Sequence, residues 1–111
     1  MKNKKGENKM AVIKINKNNF DSVKDSEKTV LLDFYADWCG PCRMVSPLVD
    51  EIAEENPQYL VGKINVDDEA ELAQTFGVAS IPTLIVMKDG KVVNQSAGAR
   101  PKAQILAMLE G

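Results

Sequence analysis

The segment Thr29–Ala36, "TVLLDFYA", constrains the fold more than any other stretch of the chain. It is β-branched and aromatic, and one acid, Asp33, breaks an otherwise continuous apolar run. A strand that alternates apolar and polar residues needs cover on one face, whereas a continuous run needs it on both. Helices must therefore flank a sheet in which this segment is central. The 111 residues suit one domain with an ordinary core and leave no room for a second.

The remaining pattern supplies that cover. "AVIKI", Ala11 to Ile15, alternates and reads as a short strand. In "NKNNFDSVKDS", Asn18 or Asn19 is a candidate cap, and Phe20 and Val23 share one helical face. From Gly40 to Asn56, Met44, Val45, Leu48, Val49, Ile52 and Ala53 recur at helical spacing until Pro57 stops the helix. Pro47 inside it removes one i→i−4 bond and predicts a kink. "YLVGKINV" reads as a strand and "DDEAELAQTFG" as a short helix closed by Gly77. "TLIVMKDGKVVNQSAG" is two strands joined at Asp89-Gly90, a strong hairpin signal. Pro101 opens a last helix with Ile105, Leu106 and Leu109 as its buried stripe. Met44, Met87 and Met108 are assigned to the core. The order β-α-β-α-β-α-β-β-α predicts parallel strands joined by helical crossovers and an antiparallel hairpin at one side. The expected class is α/β: a three-layer α/β/α arrangement with a central mixed five-stranded sheet flanked by four helices.

The start, "MKNKKGENKM", is basic and polar with no hydrophobic segment behind it, so it does not read as a secretory signal. Residues 1–9 are expected to be a flexible tail and residues 10–111 the domain. No apolar stretch approaches the roughly 20 residues that span a bilayer. A net charge of −2 gives no reason to expect nucleic acid or an anionic membrane as partner.

The only two cysteines, Cys39 and Cys42, fall where the buried strand ends and the long helix begins. With no histidine in the chain, a zinc site lacks ligands and a Cys–His nucleophile lacks its base. A phosphatase-type loop would carry an arginine six residues after the thiol, where Val45 stands. The first turn of a helix presents unpaired N–H groups and a partial positive charge. An exposed Cys39 sulfur there is stabilised as thiolate, which lowers its pKa below the usual thiol value of about 8.5. Cys42 lies one turn on, on the same face, within disulfide reach, and can resolve a mixed disulfide formed at Cys39. Gly40 lets a partner backbone approach, and Pro41 fixes the first turn. A structural disulfide would close a loop too short to stabilise much, and a metal half-site shared between two chains is the other bland use. Redox use of the pair is the expected one. Arg43 favours the Cys39 thiolate and Asp37 opposes it.

Three further positions admit two readings each. Asp33 points to the sheet face opposite Leu32 and Phe34. It is either a buried acid with a raised pKa or a strand-end acid with its head in water. The Ile81-Pro82 bond is either a trans strand entry or a cis turn. Trp38 is either simple packing or part of a contact surface beside the thiol.

"WCGPC" preceded by "LLDFYA", together with "GKINVD" and "SIPT" in that order, resembles the thioredoxin family from Met10 onward. The resemblance implies the thioredoxin fold and a general protein-disulfide reductase with Cys39 as nucleophile and Cys42 as resolving thiol. It makes Asp33 the buried acid that accepts and returns the Cys42 proton, and Lys63 the lysine beside that acid, although Lys63 also reads as an ordinary snorkelling lysine. It makes the bond before Pro82 cis, leaving the Ile81 backbone free to pair with an extended substrate. Trp38, Gly40, Pro41, Ile81, Pro82, Gly98 and Ala99 would form an apolar collar around Cys39. The implied partners are a NADPH-dependent thioredoxin reductase and client disulfides such as those of ribonucleotide reductase, peroxiredoxin and methionine sulfoxide reductase. No bound cofactor or metal is implied, and a cytoplasmic monomer is expected. The alternatives are an exported, partner-specific (periplasmic) thiol–disulfide oxidoreductase that has lost a targeting segment, and a non-catalytic binding module. The chain departs from the family at Tyr35, where many members carry a second tryptophan, and at Ala97 and Arg100, where the family is often bulkier and apolar. Its rim is thereby smaller and more basic.

Overall fold

The computed structural model describes residues 11–111; the expected tail at 1–9 and the start at Met10 lie outside the described residues. The elements run β1 (Val12–Lys14), α1 (Phe20–Lys24), β2 (Thr29–Tyr35), α2 (Gly40–Glu55), β3 (Tyr59–Asn65), α3 (Ala70–Thr75), β4 (Thr83–Lys88), β5 (Lys91–Ala97) and α4 (Lys102–Glu110). The strands form one sheet in the order β1-β3-β2-β4-β5, with β2 in the middle. β3 runs parallel to both β1 and β2, while β4 runs antiparallel to β2 and to β5.

Side-chain alternation along β2 divides the core into two layers. Leu31 packs with Val45, Val49 and Ile52 of α2 and Ile105 and Leu109 of α4. Val30, Leu32 and Phe34 pack on the opposite face with Val23 of α1 and Leu72 of α3. Phe34 and Phe20 each meet Phe76 at a ring separation of 5.6 Å, closing that second layer. The three layers and the mixed five-stranded sheet are those expected from the sequence.

The local rules explain most of the boundaries and miss several details. Asp89 and Gly90 both have positive φ, 54° and 78°, as a two-residue type I′ hairpin turn requires. At the end of α3, Gly77 (φ 65°) donates to Gln74, and Val78 donates back to the Ala73 carbonyl in a Schellman closure. β4 starts with Thr83 opposite Phe34, near the end of β2, and so runs antiparallel to it, as the expected hairpin at one side of the sheet requires. Asn19 precedes α1 without capping it by side chain; its Oδ1 accepts from the Asn16 N–H and its Nδ2 donates to the Lys14 carbonyl. Pro101 caps α4 from outside, and the buried stripe is Ile105, Met108 and Leu109, with Leu106 only half-buried. α2 continues through Pro47 as one helix. Met87 and Met108 are core residues as expected, but Met44 is 69% exposed, because the sheet-facing stripe of α2 runs through Val45, Val49 and Ile52.

Gly62 shows how tightly β1 and β3 fit. The space its missing Cβ would fill is occupied by the side chain of Ile15, which is itself buried. Gly62→Ala is expected to lower the unfolding free energy by about 1–3 kcal/mol, read as a lower urea midpoint at constant slope. An unchanged midpoint would mean that Ile15 gives way freely.

Candidate active site

Strand β2 delivers Tyr35 and Ala36 to the edge of the sheet, and the chain turns through Asp37 and Trp38 into α2. The Cys39 N–H donates to the Ala36 carbonyl at 3.2 Å, closing that turn. Cys39 is the N-cap of α2, with extended backbone (φ −89°, ψ 114°), and its Sγ accepts from the Cys42 N–H at 3.2 Å. The sulfur thus occupies the place that a serine or aspartate oxygen usually takes at a helix start. One N–H and the positive end of a 16-residue helix act on the same atom. Cys39 and Cys42 are joined as a disulfide, with their Cα atoms 5.3 Å apart.

The Cys39 sulfur is less open than the sequence suggests. Cys39 is 4% exposed and Cys42 3%. The two pack in a small cluster with Ala36, against Tyr35, Val66 and Ile81, and the Ile81 carbonyl oxygen lies 3.8 Å from Cys39 Sγ. The Ile81-Pro82 peptide is cis. Among the described residues neither the N–H nor the carbonyl of Ile81 has a backbone partner. The Gly98 N–H donates to the Pro82 carbonyl at 2.8 Å, tying the loop after β5 to the proline. Gly98 has φ 97° and therefore needs to be glycine, and a Cβ on either Gly40 or Gly98 would meet open space.

Trp38 stays out of the core. It is 67% exposed, and its Nε1–H donates to Asp67 Oδ2 at 2.9 Å. The indole forms one wall of an apolar groove of about 380 Å³ that it shares with Val66, Ala73, Val78 and Ile81. Arg43 does not reach the sulfur; its Nε and Nη2 donate to the Asp37 carbonyl at 3.3 and 3.1 Å.

Asp33 is 1% exposed, and neither carboxyl oxygen has a hydrogen-bond partner. It lies on the α2-facing side of β2, opposite Leu32 and Phe34, so the water-exposed reading is wrong. Burial raises its pKa from 3.8 to about 7, against the lowering effect of the Lys63 charge and with a further push from Asp50. Lys63 is its register neighbour on β3, yet the ammonium bonds elsewhere: to Asp50 Oδ1 at 2.7 Å and to Ser46 Oγ. The lysine therefore acts on the acid through space.

Sequence reasoning misses Ser46, Asp50 and Asp67. A signal for the first two exists: Cys42, Ser46 and Asp50 stand at i, i+4 and i+8 of α2 and form one polar stripe in an apolar face. Asp67 carries none, because only the fold brings β3's end beside Trp38. Ser46 and Cys42 also line a crevice of about 240 Å³ with Tyr35, Ala36, Asp37 and Arg43.

Comparison with known proteins agrees with this geometry. The thioredoxin family model matches residues 11–111. Thioredoxin of Bacillus subtilis (strain 168) is 48% identical over 94 residues, covering 84% of this chain and 89% of its own. Thioredoxin of Mycobacterium tuberculosis (strain ATCC 25618 / H37Rv) is 48% identical over 103 residues, covering 91% and 89%. The solved structure of a single-site mutant of thioredoxin from Halobacterium salinarum NRC-1 superposes with a TM-score of 0.84 at 36% identity, covering 89% of this chain and 88% of that one. With a cysteine pair at a helix tip, a buried acid in the strand behind it and this match along its described length, the chain belongs to the thioredoxin family of protein-disulfide oxidoreductases.

Proposed function

We propose that the chain is a general protein-disulfide reductase of the cytoplasm, in which Cys39 attacks the client and Cys42 resolves. The observation that carries this assignment is the Cys42 N–H held 3.2 Å from Cys39 Sγ at the start of α2. In the reduced protein the same N–H and helix end favour negative charge on Cys39, the better-placed nucleophile. The Cys39 thiolate attacks one sulfur of the client disulfide, forming a mixed disulfide and expelling the other client sulfur as thiolate. Cys42 gives its proton to the Asp33 carboxylate through water and attacks Cys39 Sγ. The Cys39–Cys42 bond closes and the second client sulfur leaves. Two electrons and two protons pass to the client. Lys63 tunes the acid by its charge.

The collar of Trp38, Gly40, Pro41, Ile81, Pro82, Gly98 and Ala99 receives an extended client segment, with the unpartnered Ile81 backbone available for pairing. Members of the family act on client disulfides and are recharged by thioredoxin reductase. For this chain a NADPH-dependent reductase is the proposed donor, and ribonucleotide reductase, peroxiredoxin and methionine sulfoxide reductase are the proposed clients. Among the described residues no helix is long and apolar enough to cross a membrane.

Insulin reduction with dithiothreitol as the recharging thiol tests the reading. Precipitation of the insulin B chain is expected to start well ahead of the dithiothreitol control. An onset equal to that control would favour a binding module without turnover.

A further inference from the structure

We propose that the groove between α2 and the loop leading into α4 is a specificity subsite for a client segment that carries an apolar side chain next to a carboxylate. This rests on the reading of the chain as a protein-disulfide reductase. The groove, of about 320 Å³, is lined by Met44, Val45, Leu48, Ala99, Arg100 and Pro101. Its lining is almost wholly apolar, and the 69% exposed Met44 is flexible enough to pack against varied side chains. The groove is continuous with the site: Met44 follows Cys42 by two residues, Ala99 belongs to the collar, and Gly98 is bonded to Pro82.

Arg100 gives the groove its sign. Among the described residues it pairs with no carboxylate; Nη1 lies 3.4 Å from the neutral Gln104 Oε1, and Nε is buried without an acceptor. The nearby acids of α2 are already engaged, Glu51 and Glu55 by Lys102 and Asp50 by Lys63. A guanidinium already half out of water has lost much of its hydration, so an arriving carboxylate gains a charge-assisted contact at reduced desolvation cost. A lysine arriving at the same place meets like charge. An apolar residue beside the acid fills the Met44–Leu48 side.

The test uses three disulfide peptides that differ only at the position following an apolar residue beside the cysteine: Glu, Gln or Lys. Each is reduced by the full chain with dithiothreitol as recharging thiol. The wild-type protein is expected to favour the Glu peptide over the Lys peptide about tenfold in kcat/KM at low salt, and less so in high salt. Arg100→Gln should bring that ratio close to one, and Arg100→Glu should invert it. A flat wild-type ratio, or one that survives Arg100→Gln, overturns the proposal. So does a result in which Arg100→Glu alters only recharging by a thioredoxin reductase, which would give the groove to that partner. Failure to reduce any of the three peptides would instead sink the functional reading on which the subsite depends.

Discussion

Cys42→Ser is expected to convert the protein from a turnover reductant into a covalent trap. A client disulfide attacked by Cys39 would remain attached, because the serine hydroxyl cannot displace sulfur from sulfur under these conditions. Multiple-turnover insulin reduction should fall to the dithiothreitol background, a loss on the order of 10³-fold or more, as expected when one member of a concerted pair is removed. A non-reducing gel should show a client adduct that dithiothreitol releases, and mass spectrometry of its fragments should place the link on Cys39. Cys39→Ser should lose the same activity without accumulating an adduct, since the remaining sulfur lies one turn inside the helix, away from the N-cap position. The asymmetry follows from position alone. Cys39 is the N-cap and receives an N–H, whereas Cys42 donates its own N–H and lies one turn within. Alkylation of the reduced wild-type protein near neutral pH should accordingly label Cys39 first. An adduct on Cys42 in the Cys39→Ser variant, with none on Cys39 in the reciprocal one, would reverse the roles.

The geometry on which those proposed roles rest is legible in the sequence because it depends on neighbours along the chain. A continuous apolar strand running into "WCGPC" fixes the helix start to within a residue, and the helix start supplies the electrostatics. The hairpin at Asp89-Gly90 is equally local, since two positive φ values in succession leave few residue choices. What escapes is set by pairing between distant segments. Met44 occupies a helical position next to the apolar stripe, and only the crossing of α2 over the sheet decides that it faces solvent. Lys63 stands in register with Asp33, but its side chain is drawn off by Ser46 and Asp50 on a different element.

Asp33→Asn is expected to make the protein more stable and a poorer catalyst at once. The carboxyl is buried with no hydrogen-bond partner, and burial lifts its pKa from 3.8 to about 7. Between those values the native state holds a proton that the unfolded state gives up. Unfolding free energy therefore declines as pH rises from about 4 to about 7 and is flat in this respect above that. The difference of roughly 3 pKa units corresponds to about 4 kcal/mol at most, of which some is relieved by water reaching the acid. The amide carries no charge and loses this pH dependence, so urea unfolding should find the variant ahead by a few kcal/mol at pH 8 and by far less at pH 5. An equal gap at both pH values would mean that ionisation is not the source. Catalysis should move the other way. Cys42 must lose its proton to resolve the mixed disulfide, and without a nearby base near neutral pH that step should slow by about 10²-fold. The deficit should shrink as pH rises, because hydroxide can then take the thiol proton in place of the carboxylate. Stopped-flow decay of the mixed disulfide reads the step directly. Decay at the wild-type rate at pH 7 would leave Asp33 a structural acid, whose burial costs stability without serving proton transfer.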